Sequence, residues 1–448
     1  MKNLLLGLCA IPLLLSGCGG SGSGEPGSFV QPNYNQDSGK VVGTYYTSWT
    51  AYEGDYTPAD IPGGDLTHIF YAFLSPCGGP KPESEMNASD LRLKRVCEGK
   101  EVGEAVFADP YTAFGFIKNN GSNYIGDIAE LALLKQQFPH LKIIPSFGGW
   151  TLSGPFHDLI KTDAGINKFV ESSIQILEDN PVFDGIDIDW EFPGGDGETT
   201  PDNDPNLALT PAEKEFEKQQ FTVLMQRFRA ALDELGSKNN RHYELSAAIN
   251  GFEHFSQYID YENVTQYLDF FLVMTYDFFV VGRNDIGHFA NLFAVEPFPQ
   301  SGADIMMNYL MSRGVPSEKL IIGVNNEGRG WEGVPQLGDT GQVDFGPNKA
   351  TGAMEHAFPT YREIAEKYLT NPGFIYNYDE AAEAPYLYNP TTKQYISYDD
   401  PRSVSAKSKY VVDNNLGGLF SWDISSDNYG LLNAANSSIG NSLIGSVE

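Results

Sequence analysis

Phe183-Asp184-Gly185-Ile186-Asp187-Ile188-Asp189-Trp190-Glu191-Phe192 alternates apolar and acidic residues with the period of a β-strand. Read as a strand, it sets Asp187, Asp189 and Glu191 on one face, with roughly 7 Å between successive carboxylates. Like charges in a row repel each other, and burying them unpaired costs several kcal/mol. Stability does not account for such a row, whereas proton chemistry does. Asp184 is out of phase with the other three, which places it near the base of the strand.

Around this stretch, apolar β-rich runs alternate with amphipathic helical stretches, the pattern of parallel βα units. The candidate strands are Val41–Tyr46, Thr67–Phe73, Leu141–Ser146, Phe183–Trp190, Tyr243–Ile249, Leu268–Tyr276, Lys319–Val324 and Gly417–Ser421. Several are apolar throughout, as strands covered on both faces should be. One helix is clearly punctuated. Thr210-Pro211-Ala212-Glu213 forms a capping box with Pro at the first helical position, and Phe216, Phe221, Leu224, Phe228, Leu232 and Leu235 recur at helical spacing until Gly236. Eight such units predict a (β/α)₈ barrel of the α/β class, with its active site at the C-terminal ends of the strands. Two long excursions interrupt the alternation. Leu74 to about Ile128 carries a cysteine pair and several aromatics. A Tyr-, Pro- and Gly-rich segment at 330–402 reads as a small α+β insertion domain between strand seven and the last helix.

The pattern Asp-Gly-x-Asp-x-Asp-Trp-Glu over residues 184–191 resembles the signature strand of the family 18 glycoside hydrolases, the retaining chitinases and their relatives. Other strand ends resemble that family in order: Gly43-Thr44-Tyr45-Tyr46-Thr47-Ser48-Trp49, Tyr71-Ala72-Phe73, Ser146-Phe147-Gly148-Gly149-Trp150, Met274-Thr275-Tyr276-Asp277 and Leu419-Phe420-Ser421-Trp422-Asp423. Tyr378–Tyr386 and Tyr398–Ser403 resemble the insertion domain of the deep-cleft bacterial enzymes. All five tryptophans (Trp49, Trp150, Trp190, Trp331, Trp422) fall in such motifs, and aromatic faces suit pyranose rings, although Trp190 also reads as a core residue.

The resemblance implies a chitinase that cuts β-1,4 bonds between N-acetylglucosamine units with the help of the substrate's own acetamido group. Glu191 would protonate the leaving oxygen. Asp189 would orient the acetamido N–H, Asp187 would share a proton with Asp189, and Tyr276 would donate to the acetamido carbonyl. Asp184 would support the row without taking part in the chemistry. Tyr45, Trp49, Phe73, Gly148, Gly149, Trp150, Phe192, Met274, Asp277, Glu327, Arg329, Trp331 and Trp422 would line the sugar-binding cleft, Trp422 as its floor. One strand departs from the family. In Asn325-Asn326-Glu327-Gly328-Arg329, Glu327 stands where the related enzymes have an aromatic residue, and Arg329 is placed to neutralise it. Alternatives within reach of the same residues are an endo-β-N-acetylglucosaminidase acting on N-glycans and a non-catalytic chitin-binding lectin. Lectins of this kind lose the acid, and here Glu191 is present.

No cofactor or metal ion is expected. The seven His form no ligand cluster, and His288 reads as a hydrogen-bonding structural residue. The acidic loop Asp196–Asp204 could hold a structural Ca²⁺, with a solvated loop as the default. The formal charge of −30 excludes nucleic acid as a partner, because that requires a basic surface. A monomer acting on a neutral polymer is expected.

Residues 1–18 read as an export signal, and Leu15-Ser16-Gly17-Cys18 resembles a bacterial lipobox in which Cys18 is lipidated. Gly19 after it fits an outer-membrane or surface lipoprotein, with plain secretion as the alternative. Residues 19–39 have linker composition, leaving 40–329 and 403–448 for the barrel and 330–402 for the insertion. Cys77 and Cys97 are the pair left beyond the signal region, and an exported chain would join them in a disulfide worth about 3 kcal/mol.

Overall fold

The computed structural model describes residues 33–53, 56–78, 86, 88–115, 125–195, 209–337 and 342–444. Runs dense in Ile, Val, Leu, Phe and Tyr form the parallel strands β1 (Val41–Thr47), β2 (His68–Pro76), β3 (Lys142–Gly148), β4 (Gly185–Asp189), β5 (Glu244–Asn250), β6 (Phe270–Met274), β7 (Leu320–Asn325) and β8 (Gly418–Trp422). Each strand pairs with the next, and the ladder Gly418↔Val41 to Ser421↔Thr44 between β8 and β1 closes the barrel. The chain is therefore the (β/α)₈ barrel that its strand pattern predicts.

Strand alternation builds two apolar layers. Ile69, Tyr71, Ile143, Ile186, Ile188, Phe271, Val273 and Ile322 face outward into one core. Residues one position away, among them Phe70, Ala72, Ile144, Leu272, Ile321 and Phe420, fill the barrel interior. The outer layer is covered by α1 (Asp127–Gln137), α2 (Asp163–Asp179), α3 (Pro211–Asn239), α4 (Ala303–Ser312), α5 (Pro401–Asp413) and α6 (Gly430–Ile439). β4 obeys the same rule, so its isoleucines join the helices and its aspartates point inward.

α3 starts on the expected capping box: Glu213 N–H donates to Thr210 Oγ1 at 3.3 Å, and Thr210 N–H to Glu213 Oε2 at 2.7 Å. Phe221, Leu224, Phe228, Leu232 and Leu235 are buried, but Phe216, in the second turn, is exposed. The helix also passes Gly236 and stops at Asn240, which takes the left-handed conformation at φ 52°.

The excursion after β2 returns as Ala105–Phe107, antiparallel to the end of β2, and Cys77 is disulfide-bonded to Cys97. The segment after β7 folds into a five-stranded antiparallel sheet in the order Gly352–Ala353, Arg329–Glu332, Gln394–Ser397, Ala384–Asn389, Ile375–Asp379. Its core holds Trp331, Tyr386, Tyr388 and Tyr395 against Phe278 and Phe279 from the loop after β6. Two expectations change. The insertion leads into α5, which precedes β8, whereas α6 is the last helix. The segment 33–39 is no linker: Tyr34–Asn35 pairs with Ser442–Leu443, and the buried Tyr34 donates its N–H to Asp65 Oδ1 at 2.7 Å. Composition alone missed that ladder because its partner lies at the opposite end of the chain. The signal, Cys18, the rest of the linker and the whole acidic loop Asp196–Asp204 lie outside the described residues. Among the described residues no group of acids, His or Cys could hold a metal ion, and no helix is long and apolar enough to cross a membrane.

Candidate active site

The inward aspartates of β4 open into a cleft of about 530 Å³ at the C-terminal ends of the strands. Asp187, the deepest, is fully enclosed and is held by three hydroxyl donors: Ser146 at 2.6 Å, Ser246 at 2.7 Å and Tyr45 at 2.9 Å. Burial raises its pKa, and the hydroxyls oppose the rise. Asp189 comes next and lines the cleft, with Oδ1 buried and free of any hydrogen-bond partner among the described residues. Burial, then the charges of Glu191 and Asp187, drive its carboxyl well above the usual range. Glu191 follows at the end of the strand, its N–H donating to Ser153 Oγ at 2.8 Å. Burial, with the charge of Asp277 added, pushes its carboxyl up to about 8. A carboxyl so placed keeps its proton at neutral pH and can deliver it.

Two glycines make room for this strand end. Gly149 N–H donates to the Asp189 carbonyl at 2.8 Å. A Cβ on Gly148 (φ +119°) would lie 2.0 Å from that same carbonyl oxygen, and one on Gly149 (φ +85°) would lie 2.5 Å from the Phe73 ring. Neither position accepts a side chain.

Opposite the acids lies an aromatic surface. Trp422 stacks with Phe73 at 5.9 Å between centroids and meets Tyr45 at 5.4 Å and Trp49 at 6.3 Å. Met274, Tyr276 and Asp277 from the end of β6 complete the wall, and the half-exposed Trp150 stands at the rim. Burial first, then the charges of Asp189, Asp277 and Glu191, keep the Tyr276 phenol protonated. The Ala72–Phe73, Glu191–Phe192 and Trp422–Asp423 peptide bonds, all at this mouth, are cis.

An aromatic trough ending on a row of carboxyl groups suits a polysaccharide. Residues 41–427 match the glycosyl hydrolases family 18. The chain belongs to that family. Among curated relatives, this family 18 chain is 34% identical over 446 residues to "Chitinase A" of Pseudoalteromonas piscicida, covering 90% of this chain and 53% of that protein. It is 36% identical over 412 residues to a "Probable endochitinase" of Orgyia pseudotsugata multicapsid polyhedrosis virus, covering 89% of this chain and 72% of that one. The chain thus spans about half the length of the bacterial relative. Among solved structures, "Chitinase ChiA74 from Bacillus thuringiensis" superposes with a TM-score of 0.75 at 28% identity, covering 89% of this chain and 69% of that one.

Four side chains expected in the cleft of the family 18 protein lie elsewhere. Trp331 is wholly enclosed in the insertion core, where its indole N–H donates to the Arg283 carbonyl at 3.1 Å and its ring meets Tyr395 at 5.7 Å. Phe192 is buried outside the cleft lining. Arg329 and Glu327 do not line the cleft either, but they stand behind it: the Arg329 guanidinium bonds Asp277 at 3.0 Å and Glu327 at 2.9 Å. Trp190 is a core residue, stacked on Phe156 at 5.5 Å. Asp184 is the foot of β4: it accepts from Ile143 N–H at 2.8 Å and Arg241 at 2.9 Å and pairs with Lys135. Both oxygens of Asp187 accept from hydroxyl donors. His288 is enclosed and bonds Asp379 at 3.0 Å.

Sequence reasoning missed the cradle of Asp187 and one wall of the cleft. Ser246 was findable, since alternation along β5 turns it inward. Arg92 and Asp109, which line the cleft from the disulfide-bridged excursion, carry no such periodic signal.

Proposed function

We propose that this family 18 protein is a chitinase, hydrolysing β-1,4-linked N-acetylglucosamine polymers with retention and with the substrate's acetamido group as nucleophile. The observation that carries this reading is Asp189 Oδ1, buried without a partner among the described residues, on the strand between Asp187 and Glu191. A buried carboxylate oxygen without a donor is costly, and an amide N–H presented by the substrate would satisfy it. A sugar lying on Trp422 brings its acetamido group to Asp189 and Tyr276. Glu191 gives its proton to the glycosidic oxygen as that bond breaks. The acetamido carbonyl oxygen closes on the anomeric carbon, giving an oxazolinium ion whose positive charge Asp189 balances. Water then opens the ring, returning a proton to Glu191. Asp187 holds Asp189's surroundings through its hydroxyl cradle.

The test is release of chitobiose from colloidal chitin. Glu191→Gln should lower kcat by roughly 10²- to 10⁴-fold with KM little altered, and undiminished turnover would sink the mechanism. Activity on N-acetylated chains and none on fully deacetylated ones is the second expected result.

The domain organisation proposed with this function is a barrel of residues 40–329 and 403–448 interrupted by the insertion 330–402. Cys18 is proposed as the site of a lipid anchor on the strength of Leu15-Ser16-Gly17-Cys18, and incorporation of labelled palmitate into wild type but not Cys18→Ser tests it.

A further inference from the structure

Glu327 touches neither the cleft nor the reacting atoms, yet it shares a cation with a residue that does. Arg329 is buried, its guanidinium held between the rings of Phe289 at 4.6 Å and Phe358 at 5.0 Å. Its Nε donates to Asp277 Oδ1 at 3.0 Å and its Nη1 to Glu327 Oε2 at 2.9 Å. One positive charge therefore answers two carboxylates. Asp277 is the member that lines the cleft, where its charge bears on Glu191. The backbone fixes Glu327 at this place: its N–H donates to Asn325 Oδ1 at 2.8 Å, and the next residue back, Asn326, is bonded to the Trp422 and Asp423 carbonyls at 2.6 and 2.9 Å.

We propose that Glu327 is a positioning residue that divides the Arg329 guanidinium with Asp277, and so sets how much negative charge Asp277 presents to the acid Glu191. The inference rests on the reading of Glu191 as the acid. The charged and titratable groups that face Glu191 are Asp189 and, below it, Asp187 from β4, and Tyr276 and Asp277 from the end of β6. Arg92 and Asp109 face the same cleft from the excursion after β2. Of these, only Asp277 is bonded to Arg329, and Glu327 itself faces one further acid, Asp423 at the end of β8. With Glu327 neutral, Arg329 turns its whole charge on Asp277. The negative field at Glu191 weakens, its proton leaves more readily, and the alkaline limb of activity moves to lower pH. Because Glu327 contacts no substrate, KM should not follow.

The experiment is the pH profile of kcat/KM on a soluble chito-oligosaccharide for wild type, Glu327→Gln and Glu327→Asp. The expected result is an alkaline limb lowered by about 0.5 pH unit in Glu327→Gln, with Glu327→Asp restoring the wild-type limb and KM at the optimum unchanged within about twofold. Glu327→Met, whose aliphatic chain also covers Arg329, gives the same reading should the Gln variant fail to fold. A limb that stays in place in a folded neutral variant overturns the proposal, as does an equal displacement in Glu327→Asp. Neither result touches the assignment of the acid, which stands or falls separately on Glu191→Gln.

Discussion

Glu191 owes its proton to two neighbours of different kinds: the closed surroundings that penalise its ionised form, and Asp277, whose charge adds to that penalty. The sign of the pH dependence follows. A glutamic acid at its ordinary value of 4.5 would be ionised through the neutral range and unable to protonate a leaving oxygen. Raised to about 8, it stays protonated until pH climbs through that value, so kcat/KM should hold through neutrality and fall above about pH 8. Asp189 is raised as well and interacts with Glu191, so the measured limb belongs to the pair. A limb near pH 5 in wild type would show that the cleft does not hold the proton. Asp277→Asn removes the added charge and should move the limb downward, in the direction expected for Glu327→Gln.

Among the elements, β4 was legible because its two faces differ in chemistry: isoleucines outward, acids inward. The other barrel strands were legible because both of their faces are apolar. Trp49, Trp150 and Trp422 were legible as cleft residues and Trp190 as a core residue, but Trp331 was not: it stands in sequence beside strand-end residues, yet it is enclosed in the insertion core. The insertion sheet was readable only as a small α+β segment, since its pairing joins strands that are far apart in sequence, such as Arg329 with Ser397. The register of β3 against β4 carries a sharper prediction. Gly148 pairs with Asp189 and leaves no space for a Cβ, which would sit 2.0 Å from the Asp189 carbonyl oxygen. Gly148→Ala should therefore displace Asp189 as well as strain the backbone, at a cost of about 1 to 3 kcal/mol. The expected outcome is a lower midpoint in urea together with a fall in kcat larger than the loss of folded protein explains. A variant with wild-type midpoint and kcat would show that the strand end can shift freely.

For the molecule as a whole, the decisive joint is between the barrel and the insertion, and one buried ion pair sits there. Lys407 of α5 is fully enclosed and bonds Asp399 at 2.6 Å, with the Gly323 carbonyl of β7 at 3.4 Å. Asp399 also accepts from Asn325 N–H at 3.3 Å and Ser403 Oγ at 2.7 Å, so the exit of the insertion, β7 and α5 meet on one carboxylate. Burial draws the Lys407 pKa down, and Asp399 opposes that. Nothing in the composition marks this lysine: it is one of 29 basic residues, most of which a chain of charge −30 would keep at its surface. Removing one partner of such a pair leaves a buried charge unanswered, which typically costs about 3 to 5 kcal/mol, whereas replacing both by apolar groups is often neutral. Lys407→Met should thus lose stability on that scale by denaturant titration, and Lys407→Met with Asp399→Leu should recover part of it. The recovery should be incomplete, because Asn325 N–H and Ser403 lose their acceptor in the double variant. Equal stability of Lys407→Met and wild type would mean that the pair does not hold the insertion to the barrel. β7 also leads directly into Glu327 and Arg329, so the single variant should broaden the pH profile of the acid even at temperatures where it remains folded.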